Sequence, residues 1–305
     1  MPRFTNFPHG ITSLGIPTFG TGGLPLSGNY WFVNSATGAD GNAGTGAQPF
    51  KTIARAVAVA SAGDNILILG SFNEAVGVTK AGITFMGAGS TSNRSLWTAP
   101  DTTAPCLTVT GAADVVVCGI RFRPPVSNAA ISLVGASNQF TLASSRIQGK
   151  TNSYTGILTD GGQANVRIVD NEFFYINTAA TNGHAILGSG YATSEPTGWI
   201  IQRNKFHSNT YHIVCRQSRA VITDNVFSGI GLTAVPSAAA PSMGMDISGA
   251  TVVAGGCNLV TNNLLGGAYS TALYVSGTND DWIGNYSTAN GSTCIQGLTI
   301  AVPAP

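Results

Sequence analysis

Short apolar runs recur along this chain, and each is followed by a polar position that is usually asparagine. We call these polar positions the ladder. Successive members are separated by 26, 33, 21, 38 and 22 residues. The ladder consists of Ser145, Asn171, Asn204, Asn225, Asn263 and Asn285. A near-constant minimum spacing with occasional expansions predicts one structural coil per repeat, with longer connections looping outwards.

Two columns of apolar residues accompany the ladder. Three residues before it stand Leu142, Ile168, Ile201, Ile222, Val260 and Trp282. Two residues after it stand Ile147, Phe173, Phe206, Phe227 and Leu265, with Ser287 in the last repeat. Stacked parallel strands need such columns, because each strand buries side chains against the strands above and below it. The pattern predicts an all-β chain that forms a right-handed parallel β-helix over residues 65–305.

Asparagine suits the sharp bend expected at each ladder position, because it tolerates left-handed backbone angles and its amide hydrogen-bonds locally. In successive coils about 4.8 Å apart, such amides can also bond to one another. We therefore expect a continuous column of amides between the coils.

A cap is expected before the coils, over residues 29–64. It comprises a strand, YWFVN, a loop rich in Gly and Asp, and a helix over about residues 49–62. Pro49 near the helix start and Gly63 just past its end agree with the preferences of helix termini. The helix carries an apolar stripe of Phe50, Ile53, Val57 and Ala60. Such a helix would cover the open end of the β-helix.

Residues 1–28 differ from the rest of the chain. Pro or Gly stands at almost every fourth position, which predicts that no regular element forms there. The apolar residues between them are Phe4, Phe7, Ile11, Leu14, Ile16 and Phe19. An apolar extended segment can serve as an arm that attaches to another protein, or it can lie on its own β-helix. Both interpretations stay open.

The string DGNAGTGAQPFKTIARAVAVASAGDNILILGSFNE resembles the initial segment of pectate-lyase-like β-helix proteins. That family has a D-G-x-x-G loop, a P-F-x-T-I helix start and a G-D-x-I turn before the first coil. The matching positions are Asp40, Gly41, Gly44, Pro49, Phe50, Thr52, Ile53, Gly63, Asp64 and Ile66. The preceding FTNFPHGITSLGIPTFG is similar to openings of tailed-bacteriophage virion proteins. The two resemblances imply the architecture and a virion protein, commonly trimeric and assembled in the host cytoplasm.

Composition limits the classes of function. Fourteen Lys and Arg residues face thirteen Asp and Glu residues, and charged residues make up only 9% of the chain. We therefore expect no nucleic-acid binding through a basic surface. No apolar stretch approaches 18 residues, so no membrane span is predicted, and the N-terminus lacks the apolar core of a secretory signal. Five cysteines without metal-type spacing predict free thiols, with no metal or other cofactor.

Carboxylates are the candidates for catalysis. The lyases of the family place acidic calcium ligands and a basic residue on one outward parallel face, and the glycosidases use two or three neighbouring carboxylates. The position before each ladder residue reads Ser144, Asp170, Arg203, Asp224, Asn262 and Gly284. Asp170 and Asp224, with Glu172 nearby, are weak catalytic candidates. Pairing of Asp170, Arg203 and Asp224 between coils is the favoured interpretation.

Histidine and tryptophan positions add no further site. His207 and His212 flank the loop SNTY without an evident carboxylate partner, which favours surface or turn positions. Trp199 and Trp282 share inward-facing columns, so we expect them in the core rather than as platforms for sugars. Two long loops, 188–198 and 231–243, are better placed for subunit contacts or a shallow ligand groove.

Three functions remain open. The favoured one is a non-enzymatic bacteriophage virion protein, a head decoration or cement protein that the arm anchors to other virion proteins. A homotrimer is expected from the resemblance, with a surface glycan as a further ligand. The first alternative is a tailspike or tail fibre that binds or cleaves host polysaccharide. The second is a free polysaccharide lyase or glycosidase, against which the scattered carboxylates argue.

Overall fold

The computed structural model describes residues 11–13, 16–19, 28–88, 95–100, 104–149, 155–160, 162–176, 183–188, 197–209, 211–214, 219–228, 243–246, 259–266, 273–274 and 281–287. Within them the regular structure is β-strand apart from one helix, and all but two of the strands lie in three long parallel sheets.

The first sheet contains ten strands, which are Tyr30–Asn34, Asn65–Leu69, Thr84–Gly87, Val116–Cys118, Thr141–Ala143, Arg167–Val169, Ile200–Gln202, Val221–Thr223, Leu259–Thr261 and Asp281–Ile283. The second sheet contains nine, which are Ser71–Asn73, Leu96–Thr98, Arg121–Arg123, Arg146–Gln148, Glu172–Phe174, Lys205–His207, Val226–Ser228, Leu264–Gly266 and Tyr286–Ser287. The third sheet contains eight, which are Val76–Val78, Leu107–Thr110, Ala129–Val134, Thr155–Thr159, His184–Gly188, Tyr211–Val214, Met243–Asp246 and Leu273–Tyr274. The chain visits the three sheets in turn and then starts the next coil. It is the right-handed parallel β-helix that the sequence predicted.

The strand register confirms both apolar columns. In the first sheet Leu142 pairs with Ile168, and Ile168 pairs with Ile201. In the second sheet Phe173, Phe206 and Phe227 occupy successive strands and are fully buried. Neighbouring rings in this trio stack with centroids 4.9 Å apart. The interior of the solenoid is therefore a stack of identical positions, one from each coil.

The prediction that two tryptophans lie in the core is confirmed for one of them. Trp199 is fully buried, as expected, and its indole N–H donates to the backbone oxygen of Gln163 at 2.7 Å. The backbone of Trp282 pairs with Val260, as the column requires. Its side chain lies outside the described part of the chain, so its place in the core stays a prediction.

The ladder forms a column of buried amides, as expected. The Oδ1 atom of Asn225 accepts from the backbone N–H and the Nδ2 of Asn204, at 2.9 and 3.1 Å. The Nδ2 of Asn225 also donates to the backbone oxygen of Ile201, at 2.9 Å. The same pattern links Asn171 to Asn204, Asn225 to Asn263, and Asn263 to Asn285.

The predicted left-handed backbone at the ladder residues is wrong by one position. The residues with positive φ are those immediately before the ladder, with φ between 47° and 68°. They are Ser144, Asp170, Arg203, Asp224, Asn262 and Gly284. The chain turns at these residues, and each ladder side chain then points inwards. Asparagine is required there for its amide donors and acceptor, because a buried polar group needs hydrogen-bond partners.

The cap helix spans Ile53–Val59 and is shorter than the predicted range of 49–62. It begins late because Phe50 still forms a β-bridge with the first strand of the first sheet. Thr52 is the N-cap, and its backbone N–H and hydroxyl both donate to the carboxylate of Asp40, at 2.9 Å each. The helix contacts the first strands of the first and third sheets, so it covers the N-terminal coil.

The N-terminal segment contains regular structure, contrary to the prediction for residues 1–28. Ile11–Ser13 and Ile16–Phe19 form a two-stranded antiparallel sheet. A two-stranded ribbon tolerates proline, because many of its N–H groups point away from the partner strand. These strands pair with each other and not with strands of the three long sheets. Phe4, Phe7 and Leu14 lie outside the described residues.

Two of the five cysteines lie in the described part of the chain, and both are free thiols. Cys106 is fully buried, and burial raises the pKa of its thiol to about 12. Cys118 is half-buried, and burial raises its pKa as well. A high pKa keeps a thiol protonated and unreactive.

Candidate functional site

A cleft of about 290 Å³ lies on the outside of the solenoid, where the first sheet turns into the second. We call it the charged cleft. Its lining residues are Ser145, Arg146, Asp170, Asn171, Glu172, Arg203 and Lys205. Three consecutive coils contribute to it. Strand pairing places Glu172 between Arg146 and Lys205, so these three charged side chains are neighbours on the outer face of the second sheet.

Glu172 is the centre of an ion-pair network in the cleft. The Nε atom of Arg146 donates to its Oε2 at 2.6 Å, and the Nε2 of His207 lies 3.0 Å from its Oε1. Partial burial raises the pKa of Glu172, but the hydrogen bonds and charges of Arg146 and His207 outweigh it and hold the pKa below its usual value. The expectation that His207 has no carboxylate partner is wrong. The partner belongs to the preceding coil.

A second ion pair lies at the turn. Arg203 binds Asp170 through two hydrogen bonds, from Nε to Oδ1 at 2.7 Å and from Nη2 to Oδ2 at 2.8 Å. Hydrogen bonding and the charge of Arg203 lower the pKa of Asp170. The predicted pairing between coils is confirmed for these two residues. Asp224 forms no ion pair with Arg203, and its Oδ2 accepts from the Nε2 of Gln202 at 3.2 Å instead.

The structure brings together two of the three catalytic candidates. Asp170 and Glu172 line the cleft, while Asp224 is not among its lining residues. Hydrolysis by two carboxylates requires one of them to hold a proton, which a raised pKa provides. The pKa values of Asp170 and Glu172 are both lowered. Their carboxylates therefore stay ionised near neutral pH and serve as partners for arginine and histidine.

An aromatic cluster borders the cleft, and the sequence analysis did not identify it. The ring of Phe174 stacks on His207, with centroids 5.1 Å apart, and the Arg146 guanidinium lies 4.6 Å from its centroid. Tyr175 packs edge-on against Phe174 at 5.3 Å. Phe174 is 6% exposed and Tyr175 is 43% exposed, so Tyr175 presents an aromatic surface to solvent beside the charged network. Alternation along the strand Glu172–Phe174 could have indicated this cluster. It places the two end residues of the strand on the outer face, and one of them is aromatic.

Other predicted features stay untested. Most of the long loops 188–198 and 231–243 lies outside the described residues. In the part of the chain that the structure covers, no three His, Cys, Asp or Glu side chains come together as metal ligands would. No helix there has the length and apolar character that crossing a membrane demands.

Comparison with known proteins identifies the fold. No protein-family model and no curated protein matches the chain. Among solved structures, a rhamnogalacturonan lyase has a TM-score of 0.66 and 15% identity, over 85% of this chain and 74% of the lyase. Pectate lyase Pel9A has a TM-score of 0.61 and 12% identity, over 88% of this chain and 80% of that protein. An alginate lyase from Paenibacillus sp. str. FPU-7 has a TM-score of 0.52 and 13% identity, over 88% of this chain and 99% of that protein. At these identities the likeness concerns the fold alone: the chain is a right-handed parallel β-helix of the pectate-lyase-like architecture.

Proposed function

We propose that this protein binds a polysaccharide in the charged cleft and does not cleave it. The observation that carries the proposal is a preformed set of hydrogen-bond donors and acceptors beside an exposed aromatic ring. Arg146, Lys205 and Glu172 supply the charged groups, and Tyr175 supplies the ring. Sugars offer hydroxyl groups at their edges and apolar C–H faces, so such a combination suits them.

Preorganisation supports binding at this place. Glu172 and the ring of Phe174 hold the Arg146 guanidinium from two sides. A side chain that is already fixed loses less conformational entropy when a ligand arrives. The repeat of the coils, about 4.8 Å, also lets a linear polymer meet equivalent positions along the solenoid axis. The sheet itself therefore supplies a rigid platform for an extended chain.

Binding is favoured over hydrolysis because of the ionisation of the cleft. Asp170 and Glu172 both have lowered pKa values, so neither is poised to protonate a glycosidic oxygen near neutral pH. The likeness to polysaccharide lyases concerns the backbone, and these two carboxylates are occupied by Arg203, Arg146 and His207.

We also propose that residues 1–28 attach the protein to a bacteriophage virion. The observation in favour is that the strands Ile11–Ser13 and Ile16–Phe19 pair with each other and not with the solenoid sheets. The head-decoration hypothesis gains no support from the structure or its neighbours. A glycan-binding cleft fits a tail position better, where a homotrimer would present three clefts to the host surface.

The glycan proposal is tested by affinity electrophoresis of the full chain in gels that contain purified capsular or cell-wall polysaccharides. We expect retardation by at least one acidic or neutral polymer, weaker in Tyr175→Ala and Lys205→Ala, without release of reducing or unsaturated ends. Thr108→Ala, on the third sheet, is a control remote from the cleft. Absence of retardation across the panel, or release of sugar ends, would contradict the proposal.

The attachment proposal has a separate test. Deletion of residues 2–28 is expected to abolish incorporation into phage particles while the circular dichroism and melting of the β-helix stay unchanged. Labelling of the protein on intact particles then separates head from tail. Normal incorporation of the truncated chain would refute the proposal that residues 1–28 attach the protein to the virion.

A further inference from the structure

A group of arginines extends the outer face of the second sheet beyond the charged cleft. Arg121 pairs in register with Arg146 on the next strand, and Arg123 follows two residues later on the same strand as Arg121. Phe122 between them is fully buried. Alternation along the strand therefore places Arg121 and Arg123 on the outer face.

Within the described ranges, no ion pair compensates the charges of Arg121 and Arg123. Arg146 pairs with Glu172, but neither Arg121 nor Arg123 has an acidic partner among the residues that the structure covers. The Nη2 of Arg121 donates to the side-chain oxygen of Gln148, and its Nε is buried without a hydrogen-bond partner. A buried donor without a partner is uncommon, so the guanidinium of Arg121 is incompletely hydrogen-bonded by the described residues.

Repulsion between the neighbouring arginines is a second reason to expect a bound anion. Burial lowers the pKa of Arg121, and the positive charges of Arg123 and Arg146 lower it further. Like charges on directly opposite positions of neighbouring strands destabilise a sheet. A bound anion at the partly exposed guanidinium of Arg121 would relieve the repulsion.

The distribution of charge points the same way. Five of the fourteen basic residues and two of the thirteen acidic ones line the cleft or stand on the strand Arg121–Arg123, which gives this set a formal charge of +3 (five minus two). The five are Arg121, Arg123, Arg146, Arg203 and Lys205, and the two are Asp170 and Glu172. The rest of the chain holds nine basic and eleven acidic residues, a formal charge of −2. Positive charge is thus concentrated here in a chain that is otherwise weakly acidic.

We propose that Arg121 and Arg123 bind a sulfate or phosphate ester group carried by the polysaccharide that occupies the charged cleft. This inference rests on the proposed function and narrows it to an anionic glycan with tetrahedral ester groups. The two guanidinium groups start from alternate residues of one strand, whose Cα atoms are about 6.6 Å apart. They can therefore approach a single anion from two sides.

Geometry favours a tetrahedral ester over a carboxylate. A carboxylate presents two oxygens in one plane, and one guanidinium fork can satisfy both of them. A sulfate or phosphate monoester presents three terminal oxygens that diverge, so a second guanidinium finds acceptors that the first leaves free. Two neighbouring arginines that have no acidic partner among the described residues match the second arrangement.

The test compares four polymers with the same backbone and chain length, namely dextran, carboxymethyl dextran, dextran sulfate and phosphorylated dextran. We expect the full chain to bind dextran sulfate or phosphorylated dextran about tenfold more tightly than carboxymethyl dextran at equal charge density. The sulfated and phosphorylated polymers separate the two possible ester groups. Arg121→Gln and Arg123→Gln are each expected to weaken this binding about fivefold or more.

Arg167→Gln is the matched control, because Arg167 is exposed on the outer face of the first sheet and carries the same charge. We expect it to change affinity by less than about twofold. Equal affinity for carboxymethyl dextran, an equal loss in Arg167→Gln, or equal affinity for a single-stranded oligonucleotide would overturn the proposal. If cleft substitutions such as Tyr175→Ala weaken glycan binding while the sulfate preference is absent, the proposed function stands and this inference fails.

A second test uses the protein without substitutions, so it does not depend on whether the variants fold. Inorganic sulfate is expected to protect Arg121 and Arg123 from an arginine-selective dicarbonyl reagent, as mapped by mass spectrometry, and to leave Arg167 unprotected. Equal modification of all three arginines with and without sulfate would overturn the site.

Discussion

The Oδ1 atom of Asn204 accepts two hydrogen bonds from Asn171, one from the backbone N–H at 2.9 Å and one from Nδ2 at 3.1 Å. Asn204 in turn donates its own Nδ2 to the backbone oxygen of Ile168 at 2.7 Å and to Asn225. One buried side chain thus satisfies groups in the coils on both sides of it. The ladder is consequently a structural element in which the loss of one member leaves several buried groups without partners.

Substitution of Asn204 by Ala is expected to lower the free energy of unfolding by about 3 kcal/mol, because the Asn171 donors and the Ile168 carbonyl lose their partners. Urea denaturation measures the change. Asn204→Asp keeps the acceptor but buries a charge, so it should destabilise at least as much at neutral pH. Asn73→Ala, at an exposed position, should stay within about 0.5 kcal/mol. Equal effects of the ladder and surface substitutions would refute the structural role.

Phe206 lies between Phe173 and Phe227 in the stacked column. Phe206→Ala should cost about 4 kcal/mol, because it removes buried apolar surface and leaves a cavity between two rings. Phe206→Leu preserves most of the volume and should cost about 1 kcal/mol. Thermal or urea unfolding distinguishes the two. A similar loss in both variants would mean that stacking geometry, rather than buried volume, dominates the column.

His212 makes stability depend on pH. Burial lowers its pKa to about 3, with a further contribution from the charge of His207, and its Nδ1 accepts from the Nδ2 of Asn209 at 3.1 Å. Histidine in the unfolded chain titrates near 6.5, so below about pH 6.5 the unfolded state binds a proton that the folded state does not. Stability is therefore complete above that pH and falls as the pH decreases. Between about pH 7 and pH 5 the loss should be about 2 kcal/mol.

The check on His212 is the urea midpoint at several pH values. His212→Gln should flatten the dependence between about pH 7 and pH 5, whatever its effect at pH 7. His207→Gln is expected to retain the dependence, because His207 is partly exposed. An unchanged slope in His212→Gln would assign the acid sensitivity to other groups.

Glu172 is expected to restrain the affinity of the cleft for anions. Glu172→Gln preserves the shape of the side chain but removes the negative charge that neutralises Arg146. We expect the affinity for dextran sulfate to rise about fivefold, measured by titration calorimetry at low salt. Asp114→Asn removes the same charge from an exposed turn outside the cleft lining and is the control. An equal rise in both variants would indicate a general charge effect, and a fall in Glu172→Gln would show that the ligand needs the carboxylate.

The spacing of residues along the chain was sufficient to predict the β-helix, the two apolar columns and the amide ladder. A coil contributes the same positions each time, so side chains that stack in space recur as a visible pattern in sequence. Leu142, Ile168 and Ile201 could be placed in one column without knowledge of the coordinates, because parallel strands of a solenoid pair in register.

The charged cleft could not be predicted in this way. Glu172, Arg146 and His207 come from three coils, and their contacts depend on the direction of each side chain on the outer face, where no repeating pattern restricts residue type. The turn shows the same limit, since only the backbone angles reveal that Asp170, rather than Asn171, carries the left-handed conformation. The sequence by itself determined the stack, because burial imposes the same residue types on every coil. Only the tertiary structure decided the site, because exposed side chains from different coils meet according to register and rotamer, which local pattern does not restrict.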